Sequence, residues 1–74
     1  MASPSFGEKA VGLSFNPSGD EAVNLIKRQY ADLIDFLNNY RGPADAEVAR
    51  MLSIAITEAQ SSQMWAVKAL TWRT

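Results

Sequence analysis

The 74-residue sequence predicts an all-α fold: an antiparallel two-helix hairpin with an irregular N-terminal arm, assembled into a homo-oligomer. Three observations predict it. Apolar residues recur at helical spacing in two long segments. A short glycine–proline turn separates the segments, and the second carries more apolar surface than one partner helix can cover. The chain divides accordingly into an arm over residues 1–17 and a domain for oligomerisation and ligand binding over residues 18–74.

The arm is rich in Gly, Pro and Ser, with two isolated aromatics, Phe6 and Phe15. It reads as irregular, with an extended stretch around Val11 to Phe15. Asn16-Pro17-Ser18-Gly19-Asp20-Glu21 then forms a dense helix-start signal, in which Ser18 and Glu21 have the spacing of a capping box. Val23, Ile26, Tyr30, Leu33, Leu37 and Tyr40 follow at spacings of 3, 4, 3, 4 and 3, one apolar stripe along a helix. Leu25, Ile34 and Phe36 widen that stripe. Arg41-Gly42-Pro43 ends it with a cation in the last turn, a glycine cap and a proline that cannot continue.

Pro43 can itself open the second helix, since the first helical position needs no N–H. Asp45 and Glu47 suit the positive end of the helix dipole, and no Gly or Pro interrupts the chain from there to Trp72. Two long helices joined by so short a turn pack antiparallel. Val48, Leu52, Ala55, Ala59, Ser62, Ala66 and Ala69 make a small-residue face for the first helix. Met51, Ile54, Ile56, Met64, Trp65, Val67, Leu70 and Trp72 lie on other faces. Further copies of the chain would have to cover those. Size argues the same way, because short natural domains add disulfides, a metal or oligomerisation. With no Cys and no His, the first two are missing.

Composition narrows the function classes. Seven Lys and Arg against eight Asp and Glu argue against a general DNA or RNA binder, and 47% hydrophobic residues argue against disorder. The start of the chain lacks the pattern of a secretory signal, and no apolar run reaches the roughly 20 residues that span a bilayer. A cytoplasmic protein with no membrane partner, no metal and no cofactor is expected. Without histidine, Ser53, Ser61 and Ser62 cannot join a Ser-His-Asp triad. Asp32 and Asp35 are the one paired-carboxylate candidate, on an exposed face where acids are ordinarily just solvated. Binding is the better class.

Two polar constellations stand out. The first gathers Phe15, Asn16 and Ser18 at the junction of arm and first helix, with Lys27 and Arg28 about two turns on. A ring to stack on a base, cations for phosphate and free helix N–H groups would bind a nucleotide. Equally, Phe15 could staple the helix start while the cations pair with Asp20, Glu21 or Asp32; spacing alone leaves both open. The second is Arg50, Ser53, Thr57 and Ser61, spaced 3, 4 and 4 along the second helix. Brought to a rotation axis by symmetry, that stripe would line an anion cavity. In a monomer it is ordinary solvated surface.

The run Ser53-Ile-Ala-Ile-Thr-Glu-Ala-Gln-Ser-Ser-Gln-Met-Trp-Ala-Val-Lys-Ala-Leu70 resembles the phage anti-CBASS sponges and their anti-Thoeris relatives, which share a helical-hairpin domain. Phe15-Asn-Pro-Ser-Gly-Asp20 and Ile26-Lys27-Arg28 are similar to the same family, and the resemblance covers roughly residues 13–71. It implies a hexamer, acting in the host bacterial cytoplasm, that sequesters cyclic dinucleotides between protomers without cleaving them. It also implies cyclic trinucleotides at separate sites on three-fold axes, and cyclic ADP-ribose isomers for some relatives. Phe15 would take the place of a base-stacking tyrosine, keeping the ring without the hydroxyl, and Lys27 or Arg28 that of a phosphate-binding cation. Arg50, Ser53 and Thr57 would form the axial site, with Ile56 where some relatives carry arginine. The alternative is a helical-hairpin oligomer that serves structure or protein interaction and has no nucleotide ligand.

Overall fold

The computed structural model describes residues 3–73. Among them are three helices and no strand: α1 (Phe6–Val11), α2 (Glu21–Arg41) and α3 (Ala46–Leu70). The helical hairpin of α2 and α3 is as the sequence predicts. The arm is not irregular: where an extended stretch was expected near Val11, the chain has just completed a helix.

A helix of six residues is marginal in water by itself, and α1 is held at both ends. Ser5 accepts from the Glu8 N–H at 3.1 Å, and the Glu8 carboxylate accepts from the Ser5 N–H at 2.7 Å, a full capping box. At the other end Gly12 turns left-handed (φ 60°), and the Leu13 N–H reaches back to the Glu8 carbonyl at 3.0 Å. Docking on α2 supplies the rest. A Cβ on Gly7 would lie 2.1 Å from the Ala31 carbonyl oxygen, so only glycine allows this approach. Asp35 on α2 accepts from the Gly7 N–H at 2.6 Å and from the Ser5 hydroxyl at 2.7 Å. The expected Asp32–Asp35 pair is thereby split, one carboxylate fastening α1 and the other bonded to Arg28.

The cap of α2 also differs from expectation. Asp20, not Ser18, is the N-cap, accepting from the Ala22 N–H at 2.9 Å. Ser18 lies two residues too early. At the hairpin turn Gly42 stays right-handed (φ −52°), and Pro43 belongs to the turn. Asp45 caps α3 instead, through a 3.0 Å bond from the Val48 N–H.

Val11, Ala31, Ile34 and Ile56 form the core cluster, with Leu13, Tyr30, Leu37 and Ala59 packed around it. The buried face of α2 is Val23, Lys27, Ala31 and Ile34; Val23 and the flanking Ile34 were predicted, but the face is rotated so that Leu33 and Tyr40 of the predicted stripe are exposed. The reason is α1, which occupies a second side of α2 and draws the buried face to the line between its two neighbours. On α3 the same rotation buries Ile56 and Gln63, where the sequence suggests Ala55 and Ser62. The body is flat, 45 × 32 × 12 Å, with little depth for a core. Leu25, Phe36, Met64, Trp65 and Trp72 are left exposed.

Candidate functional site

The loop from Gly12 to Asp20 joins α1 to α2 and carries the first polar constellation. It is built as a knot. The Asn16 side-chain amide donates to the Asp20 carbonyl and to the Asn24 side chain, both at 2.9 Å. The Ser18 hydroxyl donates to the Asn16 side-chain oxygen at 2.6 Å and accepts from the Asp20 N–H at 3.1 Å. Gly19 allows this path with φ 68°. Asn16 and Ser18 therefore line a cleft with Phe15 and Lys27, and their polar atoms are spent on shaping the loop.

Phe15 projects from the loop at 70% exposure, so it is not the hydrophobic staple that was the alternative. Beneath it lies Lys27, only 5% exposed. Its ammonium donates to the Gly12 carbonyl at 3.1 Å and to the Phe15 carbonyl, and sits 5.6 Å from the Phe15 ring centroid. Phe15, Asn16, Pro17, Ser18, Val23 and Lys27 line one cleft of about 190 Å³. Its remaining wall is Val67 and Thr71 from the end of α3, neither of them singled out in the sequence. An antiparallel hairpin brings the end of α3 beside the start of α2, and that register was the available signal.

Arg28 is not brought into this cleft. Its guanidinium pairs with Glu8 on α1 at 2.7 Å and with Asp32 at 2.8 Å. The bond from Arg28, then that from the Ser5 N–H, hold the Glu8 carboxyl below the ordinary carboxylate range, and Glu8 and Asp32 raise Arg28 further. Two adjacent cations thus have separate partners. Lys27 closes the loop, and Arg28 fastens α1 to α2.

The second constellation is more open. Arg50, Ser53 and Thr57 share a shallow groove with Ile54 and Glu58, about 340 Å³ in volume. Arg50 pairs with Glu47 at 2.7 Å, which lowers the Glu47 carboxyl and raises the guanidinium. The Ser53 hydroxyl is engaged twice, donating to the Ala49 carbonyl at 3.0 Å and accepting from Arg41 at 2.9 Å. Ser61 extends the stripe but is not among the groove residues. Ile56 is 3% exposed and turned into the core, so a side chain there faces α2 and not the stripe.

No group of Asp, Glu, Cys or His among the described residues is arranged to hold a metal, and no helix is long and apolar enough to cross a membrane. The family model described as Acb2/Tad1, hairpin domain, matches residues 8–71. The match begins inside α1 and takes in the loop, the cleft and the whole hairpin. No curated protein and no solved structure matches.

Proposed function

Because the chain belongs to the Acb2/Tad1 hairpin-domain family, the phage anti-CBASS and anti-Thoeris sponge proteins, we propose that it captures cyclic dinucleotides at the Phe15–Lys27 cleft and holds them uncleaved. Membership implies a cyclic-oligonucleotide sponge in general. The observation that carries the finer reading is the cleft itself, where an exposed aromatic ring stands over a buried cation at a loop fixed by its own hydrogen bonds. The ring stacks on a base, and stacking tolerates any base because each has a π-face. The ammonium is held beneath the ring by two backbone carbonyls of the loop. A sponge needs affinity alone, and a loop ordered before the ligand arrives does not charge its ordering cost to binding.

Volume and exposed surface both favour a shared site. Clefts for drug-sized ligands run to about 300–1,000 Å³, so 190 Å³ accommodates part of a cyclic dinucleotide. The exposed apolar residues on α2 and α3 need cover that a body 12 Å thick does not give itself. A homo-oligomer, expected to be a hexamer acting in the host cytoplasm, answers both needs. In it the Arg50–Ser53–Thr57 grooves would meet near an axis and take cyclic trinucleotides, while cyclic ADP-ribose isomers belong in the same ligand panel.

Thermal melting with such a panel tests the proposal. A ligand that binds the folded protein raises stability by RT ln(1 + [L]/Kd), so micromolar cyclic dinucleotide should raise Tm. The nucleotide released by heating should be chemically intact. An unmoved Tm across the panel would refute nucleotide capture and leave the structural oligomer, and altered nucleotide would show catalysis.

A further inference from the structure

Lys27 is the most unusual polar side chain in the protein. Lysine is almost never fully buried unless it is paired, yet this one is 5% exposed and no carboxylate among the described residues forms a salt bridge with it. Its partners are two backbone carbonyls, those of Gly12 and Phe15. These two residues are also the ends of one turn, closed by a 2.9 Å bond from the Phe15 N–H to the Gly12 carbonyl. The ammonium thus clips a turn that otherwise rests on one backbone bond, entered through a left-handed glycine.

We propose that Lys27 is a positioning residue: it holds the Gly12–Phe15 turn so that the Phe15 ring stands over the cleft, and its effect on ligand binding runs through that ring. The proposal rests on the nucleotide-binding reading above. An ammonium has three donors, and two are committed to the turn. Phe15 is too exposed for packing to fix it, which leaves its backbone bond to Gly12 and the Lys27 clip as its anchors. Removing the ammonium takes the Lys27 bond from the Phe15 carbonyl, leaves the Gly12 carbonyl with the Phe15 N–H alone, and loosens the turn. The ligand must then order the turn as it binds, a cost the native protein meets on folding.

The test is a double-mutant cycle joined to a measurement on the ligand-free protein. Wild type, Lys27→Met, Phe15→Leu and the double variant are titrated calorimetrically with cyclic GMP–AMP, and amide hydrogen exchange is followed by NMR without ligand. Lys27→Met should speed exchange of the Phe15 amide by about tenfold or more while α3 keeps its protection. It should weaken binding about tenfold in the native background and less than about twofold when Phe15 is already leucine. Lys27→Arg, which keeps donors and charge, should recover most of both. Should Lys27→Met fail to fold, Lys27→Gln, which retains donors without charge, takes its place in the cycle. Equal losses in both backgrounds, or lost affinity with an unchanged loop, would overturn the proposal in favour of direct phosphate contact. If wild type binds no cyclic dinucleotide, the functional reading fails, and the exchange measurement still decides whether Lys27 clips the turn.

Discussion

The two polar regions resemble each other as sequence, each with a hydroxyl and a cation against an apolar background, and they are built differently. Around the Gly12–Asp20 loop, the polar groups bond across elements: Lys27 on α2 to the loop backbone, and Asn16 to the start of α2. On α3, Arg50 pairs with Glu47 one turn away on its own helix, Thr57 stands exposed, and the one bond that crosses elements is from Arg41 on α2 to the Ser53 hydroxyl. Long-range bonds order a site within a single chain. Bonds within one helix leave each side chain where the helix puts it and nothing more. The loop cleft is therefore ordered within one chain, whereas the α3 groove, tied to α2 by a single side-chain bond, would on the reading proposed above become a site only where other copies meet.

The largest way to break this contrast is to unseat α1. In most helices Gly→Ala gains up to about 1 kcal/mol. At Gly7 the new Cβ would sit 2.1 Å from a backbone oxygen that cannot turn aside. Gly7→Ala should instead cost about 3 kcal/mol, measured by urea unfolding. It should also reduce the thermal shift from cyclic dinucleotide, because α1 leads directly into the Gly12–Phe15 turn. A stabilised variant would contradict the close approach of α1 and α2. Phe15→Ala comes next and acts on the cleft alone. Loss of one stacked base is worth about 1–3 kcal/mol of binding, and a ring so exposed should leave the unfolding free energy nearly unchanged. Binding retained at full strength would remove the ring from the proposed site.

These two positions also mark how far the sequence could be read. The hairpin was legible because α2 and α3 are long and periodic, with a breaker between them. The exposed apolar surplus of α3 was legible for the same reason. Gly7 was not: its role depends on Ala31, which lies in another helix, and nothing near Gly7 in sequence announces that contact. The capping box of α1, Ser5 with Glu8, has the same spacing as Ser18 with Glu21, and the motif was credited at the wrong place. Position 18 fails because Gly19 and Asp20 extend the loop. The rotation of the α2 core face follows from α1 as well, so overlooking one short helix displaced the predicted stripe. Of the candidate residues of the first constellation, Phe15, Asn16, Ser18 and Lys27 share one cleft and Arg28 does not. Their bonding was beyond reach, since a lysine that binds carbonyls looks in sequence like one that awaits phosphate.

The α3 groove offers a smaller effect that sharpens the comparison. Arg50 is exposed and its pair with Glu47 is local, so Arg50→Gln should leave the melting temperature of the free protein nearly unchanged. If the grooves meet near an axis, the same change should weaken cyclic trinucleotide by about tenfold or more, the loss expected of one charged hydrogen bond. Cyclic dinucleotide affinity should stay the same. A variant that loses both ligands together would mean that the two regions form one site, and the contrast drawn above would not stand.

The smallest effect is a pH dependence confined to α1. The Arg28 bond lowers the folded-state value of Glu8 below the ordinary 4.5, so the ionised carboxylate is the form that favours the docked helix. A depressed carboxylate contributes stability that is complete above its unfolded value and disappears as pH falls through the folded one. Protection of the α1 amides should therefore hold above about pH 5 and decline below it, while the centre of α3 keeps its protection. Glu8→Gln should flatten that decline, because glutamine can still bond to the Ser5 N–H but has no proton to gain. Equal acid losses in α1 and α3 would mean that α1 is not a separately docked element, and that the loop cleft owes its order to the hairpin.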